Sequence, residues 1–375
     1  MVDTDIREAL SQVHPGLPGR DYHADDVWAL EKERIFYGTW IAVGRAEEVE
    51  AAGDYMVRDV AEEQILVVRG KDGAVRAFYN VCRHRGSQLC TAETGGGKAA
   101  FVCPYHNWTY DLEGRLVGTP NVRAEDGLDR DAYGLRAVGC EVWEGFVFVN
   151  LADDPAPLES QLAEEPDAPL EYGRYGLGDL RIAQRITYEV GANWKIVLDN
   201  FNECLHCPGV HPELVNLVPM FRKGMVVDPD RPDLGAALDE GMSTFTMSGT
   251  SSLPTLPGLD EVDCRTYWGY SVMPSLMVNL LSTGVFVYTL FPRSAGHTRI
   301  VSEYLYRPET IAEDGFDCDD MVEFLDLVSR QDWEVCERAQ RGVRSRGFVR
   351  GVYPPQDGLL HAFAERYLTL RGPAS

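Results

Sequence analysis

No run of about 18 apolar residues occurs in this chain, the length at which a transmembrane helix becomes the expected reading. The opening MVDTDIREAL has neither a basic stretch nor an apolar core, so no secretory signal is expected. Cysteine is sparse: nine in 375 residues, too few for a disulfide scaffold. Those nine are therefore expected as reduced thiols or metal ligands, and the compartment as the cytoplasm. Positive charge is also short. Thirty-five Lys and Arg stand against 59 Asp and Glu, a formal net charge of −24. That deficit excludes a nucleic-acid-binding face and attraction to an anionic membrane, and it suits docking to a basic partner. There is no Gly-rich nucleotide fingerprint and no plant-type ferredoxin cysteine spacing.

What is present divides the chain. Residues 1–40 read as helical and end in IFYGTW. Residues 41–152 read as a small antiparallel β domain, with turns at Asp72-Gly73, Glu113-Gly114 and Glu144-Gly145. Residues 153–172, rich in Pro, Ala and acids, read as a linker holding a short helix. Residues 173–375 read as a larger α+β domain. It has strand patterns at RIAQRITYEV, TYWGYSVMPSLMVNLLSTGVFVYTLFP and HTRIVSEYLY. A helix is expected over residues 194–206, a long one from Asp317 to about Arg341, and another in the tail.

Two Cys-His pairs lie in loops of the β domain: Cys82-x-His84 and Cys103-x-x-His106. Structural zinc favours knuckles that supply two thiolates from one turn. Here each loop offers one sulfur and one imidazole. A Rieske [2Fe–2S] centre takes that mixture, with two thiolates on one iron and two imidazoles on the other. Gly86 permits a tight turn in the first loop, and Pro104 stiffens the second. Cys90 reads as a buried structural thiol.

The second dense stretch is NWKIVLDNFNECLHCPGVHPEL, residues 193–214. On a regular helix His206 and His211 would point about 140° apart, at roughly 100° per residue. Pro208-Gly209 breaks the helix and lets His211 swing back. Glu203 shares the face of His206. Two imidazoles and a carboxylate on one side of an iron make the facial triad of oxygen-activating Fe(II) sites. Cys204 and Cys207 have thioredoxin-like spacing, but no βαβ context surrounds them.

Together, C-x-H-R-G, C-P-Y-H-x-W and the 193–214 stretch resemble the Rieske non-haem iron oxygenase α subunits, from about residue 25 to residue 370. The family pattern has Gly where this chain has Asn107. The resemblance implies Cys82, His84, Cys103 and His106 on the [2Fe–2S] cluster, and His206 and His211 on a mononuclear Fe(II). It implies Asp332, in SRQDWEVCERAQRG, as third ligand, with Glu334 and Glu337 as competitors. Asn200 is implied as a polar neighbour of the site. Glu203 is implied as the carboxylate that bridges toward the Rieske centre of the next subunit. It further implies a helix-grip-like catalytic domain with long C-terminal helices and a head-to-tail homotrimer. Electrons would come from NAD(P)H through a separate flavin/iron–sulfur reductase.

The form NECxHCxxxHP looks like the branch that includes the glycine betaine and stachydrine demethylases and the choline and carnitine monooxygenases. GMSTFTMSGTSSLP resembles the same branch, whereas LLSTGVFVY lacks its His-Pro-Asp-like element. The implied activity is hydroxylation or demethylation of a small quaternary ammonium compound. Tyr267, Trp268, Tyr270, Phe286 and Tyr288 are candidates for an aromatic cage. The competing readings are a hydroxylase or O-demethylase of an aromatic or natural-product substrate, and a Rieske electron carrier without catalysis.

Overall fold

The computed structural model describes residues 12–120, 122–165, 169–225 and 235–373. Two compact units emerge: Phe36–Leu158, and Met1–Ile35 together with Glu159–Ser375. Both combine helices with antiparallel sheet, and the fold class is α+β.

The smaller unit is a seven-stranded sheet in the order Ile41–Arg45, Phe146–Asn150, Ala137–Trp143, Val75–Tyr79, Glu63–Arg69, Tyr55–Val60, Thr94–Gly95. A second sheet pairs Phe101–Val102, Thr109–Tyr110 and Leu116–Gly118. Glu144 and Gly145 both have positive φ, 47° and 76°, between the paired Trp143 and Phe146. A two-residue turn of that kind matches the twist of the flanking strands. Residues 153–172, read as a linker, contain the helix Leu158–Leu162 and the start of a second helical segment, Pro169–Tyr175.

The larger unit is built on a six-stranded antiparallel sheet in the order Arg181–Val190, His297–Tyr306, Val285–Ser294, Leu276–Leu280, Thr266–Val272, Ala236–Ala237. The long helix Asp319–Val343 lies against it. Met321, Phe324, Leu325, Val328, Ser329, Trp333 and Cys336 make its buried stripe, at the three-to-four spacing of one helix face. Hydroxyls fix its position on the sheet. Tyr188 donates to Asp326 Oδ1 at 2.7 Å, and the Tyr288 hydroxyl lies 2.8 Å from Ser329 Oγ.

The helical reading of residues 1–40 holds over Asp25–Phe36, but His14–Pro18 is a strand paired antiparallel with Arg350–Tyr353. The first eleven residues lie outside the described ones. Pro15 and Pro18 suit a two-stranded ribbon, where one edge needs no donors. Among the described residues no helix is long and apolar enough to cross a membrane.

Three distant segments meet at Glu31, which is 1% exposed. Its carboxylate accepts from Lys195 Nζ at 2.5 Å, Tyr367 OH at 2.8 Å and Trp194 Nε1 at 3.1 Å. The ammonium also lies over the rings of Trp194, Tyr367 and Tyr22 at 4.9, 5.0 and 5.6 Å. This knot anchors the first turn of the helix Trp194–Phe201 to the N-terminal segment and the C-terminal helix Gly358–Arg371. Lys195→Met leaves a buried carboxylate without its cation and is expected to destabilise the larger unit by about 3–5 kcal/mol. Adding Glu31→Gln should recover much of that loss. Urea unfolding of the two single variants and the double variant checks it; additive losses would contradict the coupling.

Candidate functional site

The two Cys-His loops of the smaller unit are built alike. Cys82 N–H donates to Ser87 O at 2.8 Å, and Cys82 O accepts from Gly86 N–H at 3.0 Å. Cys103 repeats this with Trp108 O at 2.8 Å and Asn107 N–H at 3.0 Å. The fourth residue after each cysteine has a left-handed backbone, φ 74° at Gly86 and 59° at Asn107. Asn is among the few residues besides Gly that adopt this region readily. Asn107 therefore closes the same turn that Gly86 does.

These turns bury the sulfurs and present the imidazoles. Cys82 and Cys103 are 2% and 1% exposed, whereas His84 is exposed and His106 half-buried. The two imidazoles sit 4.7 Å apart; Trp108 stacks on His84 at 4.7 Å and Tyr105 covers His106 at 3.7 Å. Burial pushes the Cys103 thiol up, but the N–H groups of Tyr105 and His106 outweigh it and bring the thiol below its usual value. His106 Nδ1 is buried without a hydrogen-bond partner. Sulfurs in an N–H-rich turn and an unpaired ring nitrogen fit a two-thiolate, two-imidazole cluster.

In the larger unit the helix opens with Asn193, whose side chain accepts Lys195 N–H at 3.0 Å. It ends at Phe201 rather than 206. His206 and His211 then stand at the two ends of a one-turn helix, Cys207–Val210, which starts with Pro near its first position. His206 Nε2 and His211 Nε2 are 3.2 Å apart. Asp332 Oδ1 lies 2.8 Å from the latter and 3.2 Å from the former. Asn200 Nδ2 is 3.4 Å from His206 Nε2. The far ring nitrogens are held too. His206 Nδ1 donates to Glu203 Oε1 at 2.6 Å, and His211 Nδ1 donates to the Gln331 carboxamide oxygen at 2.7 Å. Each Nε2 is thereby left as the ring atom that faces Asp332, open to a proton or a metal.

Burial works against charge on His206, but hydrogen bonds to Asp332 and Glu203 outweigh it and push the imidazole up to about 10. Burial would raise Asp332, yet the two histidines hold it below the usual carboxylate range. Two nitrogens and a carboxylate oxygen converging this closely call for a cation among them, and the set fits a two-imidazole, one-carboxylate iron site. The competitors lie elsewhere: Glu334 pairs with Arg338 at the surface, and Glu337 accepts Gly191 N–H at 3.0 Å. Gln331 was not anticipated, because a Gln on a polar helix face carries no signal by itself. Cys204 and Cys207 depart from the expected free thiols: they are joined as a disulfide, and the other seven cysteines are free.

A cavity of about 80 Å³ opens beside these groups. Tyr267, Phe286 and Tyr288 line it, whereas Trp268 and Tyr270 do not. Alternation along the strand sends those two to the other face, where Tyr172 stacks on Tyr270 at 5.1 Å and Arg174 lies over Trp268 at 5.5 Å. Phe221 and Phe245 join the lining, Phe245 stacked on Tyr267 at 5.0 Å. Phe245 lies within GMSTFTMSGTSSLP, while nothing in the sequence marks Phe221. Among the described residues no Lys or Arg lines this cavity. On its other side Glu203 faces a larger cavity of about 580 Å³, shared with Asp199 and Asp357. Burial, together with the charge of Glu203, lifts both of these to about 7.

Residues 39–137 match the Rieske [2Fe–2S] domain, and residues 177–371 match the ring-hydroxylating alpha subunit catalytic domain. The glycine betaine monooxygenase oxygenase subunit of Chromohalobacter salexigens is 32% identical over 90% of this chain and 81% of its own. The carnitine monooxygenase oxygenase subunit of Escherichia coli is 31% identical over 88% and 85%. The crystal structure of a quaternary ammonium Rieske monooxygenase with gamma-butyrobetaine superposes with a TM-score of 0.76 at 27% identity, covering 98% of this chain and 99% of that one.

Asn107→Gly should leave folding and cluster uptake intact. Asn107→Val, forced into the left-handed region, should cost about 1–2 kcal/mol and reduce cluster content, read from visible absorbance per chain. Equal cluster content in both variants would contradict the twin-turn reading. For His206 the sign is set by its raised value. In metal-free protein its contribution is fully present below 6.5 and is lost as pH rises toward about 10. Unfolding midpoints of metal-free protein should fall across that window, and His206→Asn should flatten the profile. Metal affinity measured against a chelator should rise across the same window as the proton leaves.

Proposed function

The chain belongs to the ring-hydroxylating α-subunit family of Rieske non-haem iron oxygenases, and within it we propose an oxygenase component that hydroxylates or demethylates a small N-methylated cation. The observation that carries this reading is the cavity beside His206, His211 and Asp332. Tyr267, Phe286, Tyr288 and Phe245 line it, and among the described residues no Lys or Arg does. Aromatic faces attract a quaternary ammonium, and a desolvated site strengthens that attraction. A volume of about 80 Å³ is far below the several hundred typical of drug-sized ligands, so it suits a methylammonium head better than a fused ring. Relatives named for glycine betaine and carnitine support the same class.

When bound, the cluster supplies single electrons and the mononuclear iron activates O2. The protein's own groups do the positioning. Glu203 and Gln331 each fix the tautomer of one imidazole. Asp332 supplies the negative charge that favours a cation between the rings. The Tyr267 hydroxyl donates to Asn279 Oδ1 at 2.8 Å, which fixes the orientation of that ring beside the cavity. Hydroxylation of an N-methyl would give a carbinolamine that collapses to formaldehyde. A reading as an electron carrier alone leaves the converged His206, His211 and Asp332 without a role.

We infer further that the chain works as a head-to-tail homotrimer fed by a separate NAD(P)H reductase. On the smaller unit exposed Tyr105 covers His106, and Val102 and Val117 are exposed on two strands of the short sheet that carries this loop. Exposed Leu205, Phe348 and Val352 rim the cavity in which Glu203 lies on the larger one. Exposed apolar patches of this kind suit a subunit interface. The bond from His206 to Glu203 supports reading Glu203 as the link between a neighbour's imidazole and this chain's iron site.

Iron-loaded protein with NADH and a surrogate reductase should consume O2 and release formaldehyde in step when given a methylated quaternary amine. Activity only with arenes or methyl ethers would overturn the substrate class. Glu203→Ala should keep both metals, by metal analysis, while oxidation of the reduced cluster on O2 addition slows by about 100-fold or more. Unchanged cluster oxidation would remove the bridge.

A further inference from the structure

The turn that carries the metal-site histidines also holds a pair of sulfurs that the oxygenase chemistry above does not use. Cys204 and Cys207 are 4% and 2% exposed, flank Leu205-His206 and are joined, with Cα atoms 4.9 Å apart. The backbone sets this pairing. Cys207 N–H donates to Cys204 O at 3.0 Å, and Glu203 Oε2 accepts from the N–H groups of Leu205 and His206. A Cα separation of this size lies within the range a disulfide needs. Cys207 Sγ is 3.8 Å from His206 Nε2. That sulfur and the ligand nitrogens of His206 and His211 all lie within 4.8 Å of one another. Both cysteines line the 80 Å³ cavity, so a small oxidant reaches them by the route that serves the metal site.

We propose that Cys204 and Cys207 are a reversible thiol–disulfide pair that sets the donor set of the metal site. The proposal rests on the reading of His206, His211 and Asp332 as metal ligands. Bridged, the site offers two imidazoles and a carboxylate, because a disulfide sulfur is uncharged and a weak donor. Reduced, Cys207 adds a thiolate. Thiolate is a soft ligand that suits Zn(II) and Cu(I), and a fourth protein donor fills a position that an oxygen-activating iron needs open. The bridge thus keeps the site open and favours iron over zinc.

The oxidant is hydrogen peroxide, the two-electron reduction product of O2. Two S–H bonds and the O–O bond break, and one S–S bond forms. Both thiol protons leave on oxygen, giving two waters; sulfur is oxidised and peroxide reduced. A small dithiol reverses the step by two exchanges and is itself oxidised to its disulfide.

The test uses the full chain with its [2Fe–2S] cluster in place and the mononuclear site emptied by a chelator, treated either with dithiothreitol or with a hydrogen peroxide dose that leaves the cluster's visible absorption unchanged, and then desalted. Alkylation and peptide mass spectrometry read the state of each cysteine. Co(II) loading reads thiolate ligation through its sulfur-to-metal absorption, and competition reads the preference for Zn(II) over Fe(II). Reduced protein should show the sulfur band and a zinc preference raised on the order of tenfold over the oxidised form. Cys204→Ser, which strands the thiol at 207, should behave as reduced after dithiothreitol and form no disulfide with peroxide. Cys207→Ser should behave as oxidised after either treatment. The proposal fails if Cys204 and Cys207 alkylate equally before and after peroxide, or if reduced wild type matches Cys207→Ser in spectrum and zinc preference. Reduced and oxidised wild type are compared without relying on any variant's fold. Cobalt uptake that survives His206→Ala and Asp332→Ala sinks the ligand assignment itself. Uptake that needs both residues but ignores the thiol state sinks only the pair.

Discussion

Three acceptor atoms held within 3.2 Å of one another repel unless a positive charge sits among them. That is the constraint at His206 Nε2, His211 Nε2 and Asp332 Oδ1. Without a metal a proton must serve, and His206 is accordingly held charged up to about 10. The fold is arranged so that neither ring can turn away. Glu203 grips one imidazole from behind, and Gln331 grips the other. The site is therefore a preformed cation seat whose affinity for metal includes relief of this repulsion.

The architecture places that seat between an antiparallel sheet and two helices of very different length. The short helix is fixed at its start by the Glu31–Lys195 knot, which ties it to both ends of the larger unit. The long helix is fixed on the sheet by the Tyr188 and Tyr288 hydroxyls. Aromatic residues that wall the cavity are thus also parts of the packing that positions Asp332: Tyr288 meets Trp333 edge-on at 5.7 Å. Recognition and metal geometry share side chains, so enlarging the cavity at Tyr288 also loosens the helix beneath it.

The strands, their turns and the long helices were legible because period and Gly-containing turns report local geometry directly. Asp72-Gly73 and Glu144-Gly145 close their hairpins with Gly at positive φ. The cysteine and histidine spacing was legible for the same reason: few other residues do that chemistry. What spacing could not give was how the chain turns after Phe201. A break was expected at Pro208-Gly209, but the helix stops before His206, and a separate single turn holds both histidines at its ends. Trp268 and Tyr270 were candidates for the cage because aromatic type was visible and strand face was not. Gln331 and the Cys204–Cys207 bridge depend on contacts between segments or within an irregular turn, which no periodicity encodes. His14–Pro18 was missed because its partner lies more than 300 residues along the chain.

Gln331 and Asp332 are neighbours on one helix, and they hold the same imidazole from opposite sides. Adjacent helical residues diverge by about 100°, so the ring sits in the angle between them. This makes the helix upstream of residue 331 intolerant of small insertions and deletions. Adding or removing one residue there would swing both side chains off the ring at once, and no single later substitution could restore the pair. Only changes near seven residues, about two turns, return both to the same bearing. In divergence from a common ancestor, length variation in this helix is expected downstream of Asp332 or in the loop before Asp319, with the intervening stretch fixed in length even where its sequence drifts.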